Sequence, residues 1–413
     1  MKSNYKRIGN YINLVEERNK ELQYLPLIGL SITKQFIPSI ANTIGTDMST
    51  YRTIYKNQFA YSAVTSRNGD KLTIALFKDL DKGLISQAYT PFEITDTNKL
   101  LPDYLMMWFS RPEFDRYARF KSHGSARELF SWDDLCDSII PVPHPDKQKE
   151  IVKEYNTIVN RIALNNQLIK KLEETAQAIY KEWFVEFEFP DEEGKPYKSN
   201  GGEMVESELG EIPKGWELKR LSELSFIKHG FAFKGENFVD NETELILISP
   251  DNFKITGGFN FDKNKFYKGN YPKSYVLSED DLITNMTDLS KDGDTLGNTA
   301  LIPNIEFKTL LHNQRVGKIE LDNTSHNYFI YFRTNQKDYK HYILGTATGT
   351  TVKHTSPNRI GDFKFVLPDS EVLLSFNQLI KPIVKLIGLN PSTEHKLKEI
   401  KDLLLSRIAT IEN

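Results

Sequence analysis

The chain repeats itself, and that constrains its fold more than any other feature. Gly124-Ser-Ala-Arg resembles Gly349-Thr-Thr-Val at an offset of 225 residues. Without a gap, the same offset pairs Ser131 with Ser356, Asp137 with Asp362, Pro143 with Pro368, Ile158-Val159 with Ile383-Val384 and Ile162 with Ile387. It goes on to pair Leu164-Asn165 with Leu389-Asn390, Lys171-Leu172 with Lys396-Leu397 and Glu174 with Glu399. About twelve of about fifty positions agree, where chance at ordinary composition gives roughly three. Upstream, Tyr104-Leu-Met-Met-Trp-Phe parallels Phe329-Ile-Tyr-Phe-Arg-Thr, and a looser echo joins Arg7-Ile8 to Arg220-Leu221. Two copies of one unit in 413 residues imply one supersecondary plan built twice. The order is globule (1–146), long helix (147–189), acidic linker (190–215), globule (216–370), long helix (371–413).

Each globule mixes β-type runs, such as Leu72-Thr-Ile-Ala-Leu-Phe and Glu244-Leu-Ile-Leu-Ile-Ser, with one amphipathic helix before the Gly124 or Gly349 turn. The proline-rich ends Ile140-Pro-Val-Pro-His-Pro and Val366-Leu-Pro stop the last strand of each. The long segments differ in kind. Ile151, Tyr155, Ile158, Ile162, Asn165, Ile169, Leu172, Ala176, Ile179 and Trp183 fall at alternating spacings of four and three, a heptad seam. The second copy keeps it at Phe376, Ile380, Ile383, Ile387 and Asn390, pauses at Pro391, where a kink or restart is expected, and resumes at Leu397, Leu404 and Ile408. A helix of ~55–60 Å outreaches a domain of ~150 residues, so the two are each other's natural partners. Asn165 and Asn390 occupy equivalent seam positions, where a polar residue fixes register.

The net charge of −3 hides a segregation. Residues 186–211 carry nine acids and two bases, which leaves the rest of the chain at +4. A mildly basic body is compatible with nucleic acid. Cys136 is the single cysteine, which excludes internal disulfides and a cysteine-based zinc cluster and fits a reducing cytoplasm. No continuous apolar run approaches the ~20 residues of a membrane span, so no membrane partner is expected. The chain has no Asn/Asp-Pro-Pro-aromatic motif, glycine-rich cofactor loop, nucleotide-binding P-loop or His-Glu-x-x-His, and its eight histidines are scattered, so it reads as non-catalytic and metal-free. Pro190-Asp191 with Glu193-Gly-Lys195 has the look of a nuclease carboxylate motif, but its crowding in one acidic stretch marks solvated linker.

The stretch from Asn165-Asn-Gln-Leu-Ile-Lys-Lys-Leu-Glu-Glu to Ala178-Ile-Tyr-Lys-Glu-Trp-Phe-Val-Glu-Phe-Glu-Phe-Pro190 resembles the central helical region of the specificity subunits of type I restriction–modification systems. Gly201-Gly-Glu-Met, with Ser207-Glu-Leu-Gly-Glu-Ile-Pro-Lys-Gly-Trp216, looks like the linker opening their second recognition domain. Ser125-Ala-Arg-Glu-Leu-Phe-Ser-Trp-Asp-Asp-Leu and Thr350-Thr-Val-Lys-His-Thr-Ser-Pro resemble the segments closing the two domains. The resemblance covers essentially the whole chain. It implies an α+β protein with two similar α/β target-recognition domains, separated by a long antiparallel two-helix coiled coil with pseudo-two-fold symmetry. It further implies binding to a bipartite, asymmetric double-stranded DNA site, and docking of two methyltransferase and two motor-nuclease subunits. Those partners bring the S-adenosylmethionine, ATP and Mg²⁺; this chain holds no cofactor. The alternative is a stand-alone, repressor-like DNA-binding protein.

Base edges are read by Arg, Lys, Asn, Gln, Ser and Thr in loops. The candidates are Ser66, Arg67, Asn68, Lys121, His123, Ser125 and Arg127 in the first half, and Lys228, His229, Lys234, Asn313, Gln314, Arg315, Thr350, Thr351, Lys353 and His354 in the second. The Gly124 and Gly349 loops set a glycine between small hydroxyl residues with a base nearby, which suits phosphate. Their repetition suggests backbone positioning rather than base choice.

Overall fold

A pair of antiparallel strands ties the beginning of each globule to its end: Tyr5–Arg7 lies against Ile139–Pro141, and Glu217–Arg220 against Lys364–Leu367. The computed structural model describes residues 5–66, 69–123 and 128–410, apart from the side chains of Asn390 and Ser392. The chain forms two compact units. One runs to Ala163 and includes the segment from Lys396 onward; the other spans Leu164–His395.

Both units contain the same sheets. In the first, a four-stranded sheet has the order Ile12–Leu14, Tyr89–Ile94, Phe59–Ser62, Ile74–Leu76; in the second the order is Ser225–His229, Val316–Leu321, Leu282–Asn285, Thr299–Leu301. A further sheet in each contains one parallel pair, Leu27–Leu30 beside Lys82–Ile85 and Leu245–Ile248 beside Thr309–His312. The central strands read as unbroken apolar runs because both faces are covered. Phe59 and Tyr61 enter one core cluster and Ala60 the other, just as Leu282 and Ile283 part between two cores.

Three short helices follow the sheets: α1 (Pro102–Phe109), α2 (Pro112–Lys121) and α3 (Trp132–Cys136), before the long α4 (Pro145–Phe184). The second unit has α5 (Asn327–Arg333), α6 (Lys337–Thr346) and α7 (Pro357–Gly361), before α8 (Ser370–Arg407). The 225-residue offset maps the starts of all three short helices onto one another, so it governs more of the structure than the identities alone covered. The kept residues do structural work. Ser131 and Ser356 cap α3 and α7 by accepting N–H bonds from Asp134 and Arg359. Asp137 and Asp362 end those helices and pair with Arg7 and Arg220, so the looser N-terminal echo is the other half of the same ion pair.

Four expectations need correction. Two helices, not one, precede each glycine turn. In the first unit Pro112 forces Arg111 into an extended conformation (φ −72°, ψ 137°), which ends α1. In the second, the Asn335 side chain bonds both the N–H and the carbonyl of Thr299, at 3.1 and 3.3 Å. α8 does not stop at Pro391: it runs through Pro382 and Pro391, each of which denies one carbonyl a turn back its donor. α8 is also long and apolar enough, by length and composition alone, to cross a membrane, although its Leu373, Phe376 and Ile380 are buried in the core of the second unit. The acidic segment is folded, not an extended connector. Phe189 stacks on Tyr197 and Trp216 (centroids 4.6 and 5.0 Å), and Met204–Ser207 pairs with Gly210–Pro213. Its aromatic residues interleave with the acids; Asp191 accepts the N–H groups of Glu193 and Lys195 (2.9 and 2.8 Å), forming a turn rather than a carboxylate cluster.

The seam residues lie where the periodicity puts them. Ala176, Trp183, Phe376 and Ile380 are buried; Ile151, Tyr155, Ile158, Ile162, Asn165, Ile169, Leu172, Ile179, Ile383, Ile387, Leu397 and Leu404 are half-buried. The Asn390 side chain lies outside the described residues. Burial widens to Tyr180 and Phe184 within the second unit, where both rings pack on Phe376.

Candidate nucleic-acid interface

The Gly349 loop is a hairpin closed by reciprocal bonds between Thr348 and His354, N–H to carbonyl at 3.0 and 2.8 Å. Gly349 has φ +92°, and a Cβ there would collide with the carbonyl oxygen of Val352, so only glycine fits. Lys353–His354 then pairs with Thr287–Asp288, and Nδ1 of His354 lies 3.2 Å from the Thr287 hydroxyl.

That pairing brings a second loop to the hairpin. The N–H of Thr355 donates to the Met286 carbonyl, and the N–H of Met286 donates to the Arg315 carbonyl, both at 3.1 Å. Hairpin, strand and the Asn313–Arg315 turn therefore lie side by side. Val316 closes the turn on Asn313 (3.0 Å), and Gln314 donates to Phe231 (3.0 Å), so the segment after Lys228-His229 reaches the same place. Gly230 permits this, because a Cβ would strike the backbone of Asn313. His312, just before the turn, is 1% exposed and its Nε2 bonds the Val316 carbonyl at 2.8 Å. Burial pushes its pKa down to about 4, so the ring is neutral near pH 7 and pins the turn.

Gln314 and Arg315 are exposed, and among the described residues the Arg315 guanidinium pairs with no carboxylate. Lys353 is half-buried against Gly293. Thr350, Thr351, His354 and His229 are exposed. Lys228 is less available: its amine donates to the Ser274 carbonyl (2.9 Å) and sits 5.0 Å above the Tyr275 ring. Lys234 lies farther along, exposed, with its amine 3.7 Å from Glu236.

Two features escaped the sequence reading. Arg359 reaches the hairpin, its guanidinium 3.4 Å from the Thr348 hydroxyl. The 288–298 loop flanks Lys353. There burial opposes ionisation of Asp288, but hydrogen bonds from Ser290 and Thr295 outweigh it and hold the carboxyl below its ordinary value. The Lys340 amine grips this loop through the carbonyls of Asp294 and Leu296 and Oδ1 of Asn298 (2.9, 2.8 and 2.9 Å). Burial pushes its pKa down to about 8, against the attraction of Asp288 and Asp294. Arg359 follows the hairpin so closely that position alone could have flagged it; the 288–298 loop is a long-range neighbour that no local pattern announces.

The first unit repeats the hairpin. His123 and Leu129 exchange bonds of 3.1 and 2.9 Å, at the positions 225 residues before Thr348 and His354. Leu129 also bridges Val64, and Thr65 donates to the Glu128 carbonyl (3.0 Å), which brings exposed Ser66 beside the hairpin. His123 is exposed and Lys121 half-buried at the end of α2. Arg67, Asn68, Ser125 and Arg127, with Gly124, lie outside the described residues.

No family model matches the chain. It is 22% identical over 411 residues to the HindI specificity subunit of a type I restriction enzyme from Haemophilus influenzae, covering 86% of each chain. It is 24% identical over 355 residues to the MjaIX specificity subunit from Methanocaldococcus jannaschii, covering 82% of this chain and 77% of that one. A solved S subunit of a type I restriction–modification system from M. genitalium shares the fold, with a TM-score of 0.61 at 14% identity, over 99% of this chain and 96% of that one. In sequence over most of its length and in fold over nearly all of it, the chain is a homologue of the type I restriction–modification specificity subunits.

Proposed function

We propose that this chain is the sequence-reading, non-catalytic subunit of a type I restriction–modification complex, with residues 1–146 and 216–370 each recognising one half of an asymmetric, bipartite double-stranded DNA site. One observation carries the reading: the same hairpin occurs twice in the same register, each time beside a loop of different sequence. A repeated element suits the repeated phosphate backbone, whereas differing loops suit differing half-sites. In this reading Thr350, Thr351, Lys353 and His354 position the duplex, as His123, Ser125 and Arg127 do in the first half. Asn313, Gln314 and Arg315 read base edges, matched by Ser66, Arg67 and Asn68. Helices 147–189 and 371–413 form an antiparallel coiled coil that separates the domains under pseudo-two-fold symmetry and sets the spacer, the folded 190–215 segment joining the first helix to the second domain. Two methyltransferase subunits dock on it and two motor-nuclease subunits join them, in the cytoplasm, bringing S-adenosylmethionine, ATP and Mg²⁺.

The test is co-expression with the methyltransferase subunit of such a system and mapping of methylated adenines. The expected result is a two-part motif whose halves change independently when either domain is exchanged. A methyltransferase that ignores this chain, while the chain alone holds DNA tightly, would favour the stand-alone binder.

A further inference from the structure

The internal repeat exposes a vacancy. In the second unit the buried Phe363 ring packs on Tyr339 and Tyr342 (centroids 4.8 and 5.3 Å), under the Arg333 guanidinium at 4.8 Å. The 225-residue offset that superposes the short helices maps Phe363 onto Ser138, Tyr339 onto Phe114, Tyr342 onto Tyr117 and Arg333 onto Trp108. In the first unit the aromatic walls therefore remain and the ring between them is gone. A concavity of about 420 Å³ lies there, lined by Trp108, Arg111, Phe114, Tyr117, Ser138 and Ile139.

Two donors face this concavity without acceptors. Nε1 of Trp108 and Nε of Arg111 are buried and unbonded, on residues 8% and 7% exposed. The Arg111 guanidinium stacks 4.4 Å from the Trp108 ring and reaches Glu113 only through a terminal nitrogen at 3.3 Å. The corresponding Arg333 is held by Asp338 through both terminal nitrogens. Buried donors are ordinarily satisfied, so a pair left open in one pocket marks a place for an acceptor.

We propose that this pocket is a docking socket for an aromatic side chain of a partner polypeptide, which inserts where Phe363 sits in the other unit and presents a backbone carbonyl to Trp108 and Arg111. Phe363 shows what shape fits, a phenyl ring carried on a peptide, and the two open N–H groups supply what that internal ring does not need. Resting on the function proposed above, the partner is the methyltransferase subunit.

The probe is N-acetylphenylalaninamide, titrated into the full-length protein while the indole N–H resonances are followed, that of Trp108 being assigned with Trp108→Phe. A phenyl ring with two amides should half-saturate on the order of 1 mM, shifting the Trp108 resonance. Ser138→Phe, which fills the socket as the second unit does, should abolish binding without lowering the melting temperature. Should that variant disturb the fold, Trp108→Phe keeps the wall, removes a donor and should weaken binding, read from the probe's own signals, several-fold. No shift in the wild type, or a shift undiminished by Ser138→Phe, overturns the socket. Assembly with the methyltransferase subunit separates the two readings. A tenfold or greater loss with Ser138→Phe, and none with Ser138→Ala, assigns the partner; undiminished assembly beside an abolished probe signal overturns it. A wild type that binds the probe and no methyltransferase refutes the proposed function and leaves the socket standing.

Discussion

The same position on the second short helix carries opposite charges in the two units. Asp115, on α2, accepts the Leu72 N–H (3.0 Å) and pairs with Lys34 at 2.7 Å, both side chains nearly buried. Lys340, 225 residues on, donates to two carbonyls and an amide oxygen of the 288–298 loop. Both fasten the helix to the loop entering the same sheet strand, one as an acceptor and one as a donor. A shared frame thus does not require a shared polar interior. Helix caps and closing ion pairs stay the same in both halves, whereas the groups that hold the loops are rewritten, as they must be if the loops meet different half-sites.

The largest effect expected from this contrast is that of Asp115→Ala. It strands the Lys34 ammonium, whose side chain is 10% exposed, and removing one member of a buried pair costs ~3–5 kcal/mol. Replacing both, as Lys34→Met with Asp115→Leu, should restore much of the loss, because two charges no longer need desolvation. Denaturant titration should show the first unit melting early and the second unmoved. If both units shift together, they do not unfold independently and the comparison between them fails.

Next comes a pH effect that only the second unit should show. His312 occupies the place of Ile85 in the first unit: each is beside the last residue of its parallel partner strand, Ile248 and Ile28. The folded pKa of His312, about 4, lies below the ~6.5 of an unfolded histidine. Between those values the unfolded chain binds more protons, so stability rises with pH. The contribution is complete above about pH 6.5 and is lost as pH falls towards 4, reaching at most about 3 kcal/mol. His312→Gln should flatten the pH dependence of the second transition in that window. An equal slope in the first transition would place the responsible groups elsewhere.

Lys340→Met should cost less than Asp115→Ala, ~1–3 kcal/mol, since it leaves neutral acceptors unsatisfied rather than a charge. It should also loosen the 288–298 loop beside Lys353, which hydrogen exchange at Ser290 and Thr295 would detect. Unchanged protection there would mean that Asp288 alone holds the loop.

Much of this architecture was legible in the residues. Ser131 and Ser356 matched because a helix cap allows few alternatives, Gly349 because its hairpin excludes a Cβ, and the seam because four-and-three spacing leaves one face to bury. What stayed hidden depended on distant contacts. Nothing near Thr334 announces that Asn335 will grip Thr299 and end α5. Lys228 looks available until Ser274 and Tyr275, which hold it, are known. The acidic segment looked solvated because its charge was counted before Phe189, Tyr197 and Trp216, whose stacking folds it, were weighed.

The smallest effects bear on the roles assigned to the interface, and here the two halves should behave as separate readers. Arg315 is exposed on a turn pinned by His312, and a guanidinium there can meet O6 and N7 of a guanine with two hydrogen bonds. Arg315→Ala should cost ~1–3 kcal/mol on the cognate duplex and relax one position of the second half-site. The first half-site should not respond, because changes in distant, independent sites add. Lys353, set in the hairpin strand that both units share, should instead touch phosphate. Lys353→Ala should weaken cognate and random duplexes alike and lower the log–log salt slope by ~0.9, with no change in preferred sequence. Binding curves at several salt concentrations, on cognate and single-position variant duplexes, separate the two. If Lys353→Ala changes the preferred base while Arg315→Ala moves only the salt slope, the repeated hairpin reads sequence and the divergent turn grips the backbone. The contrast between a shared frame and rewritten loops would then run the other way.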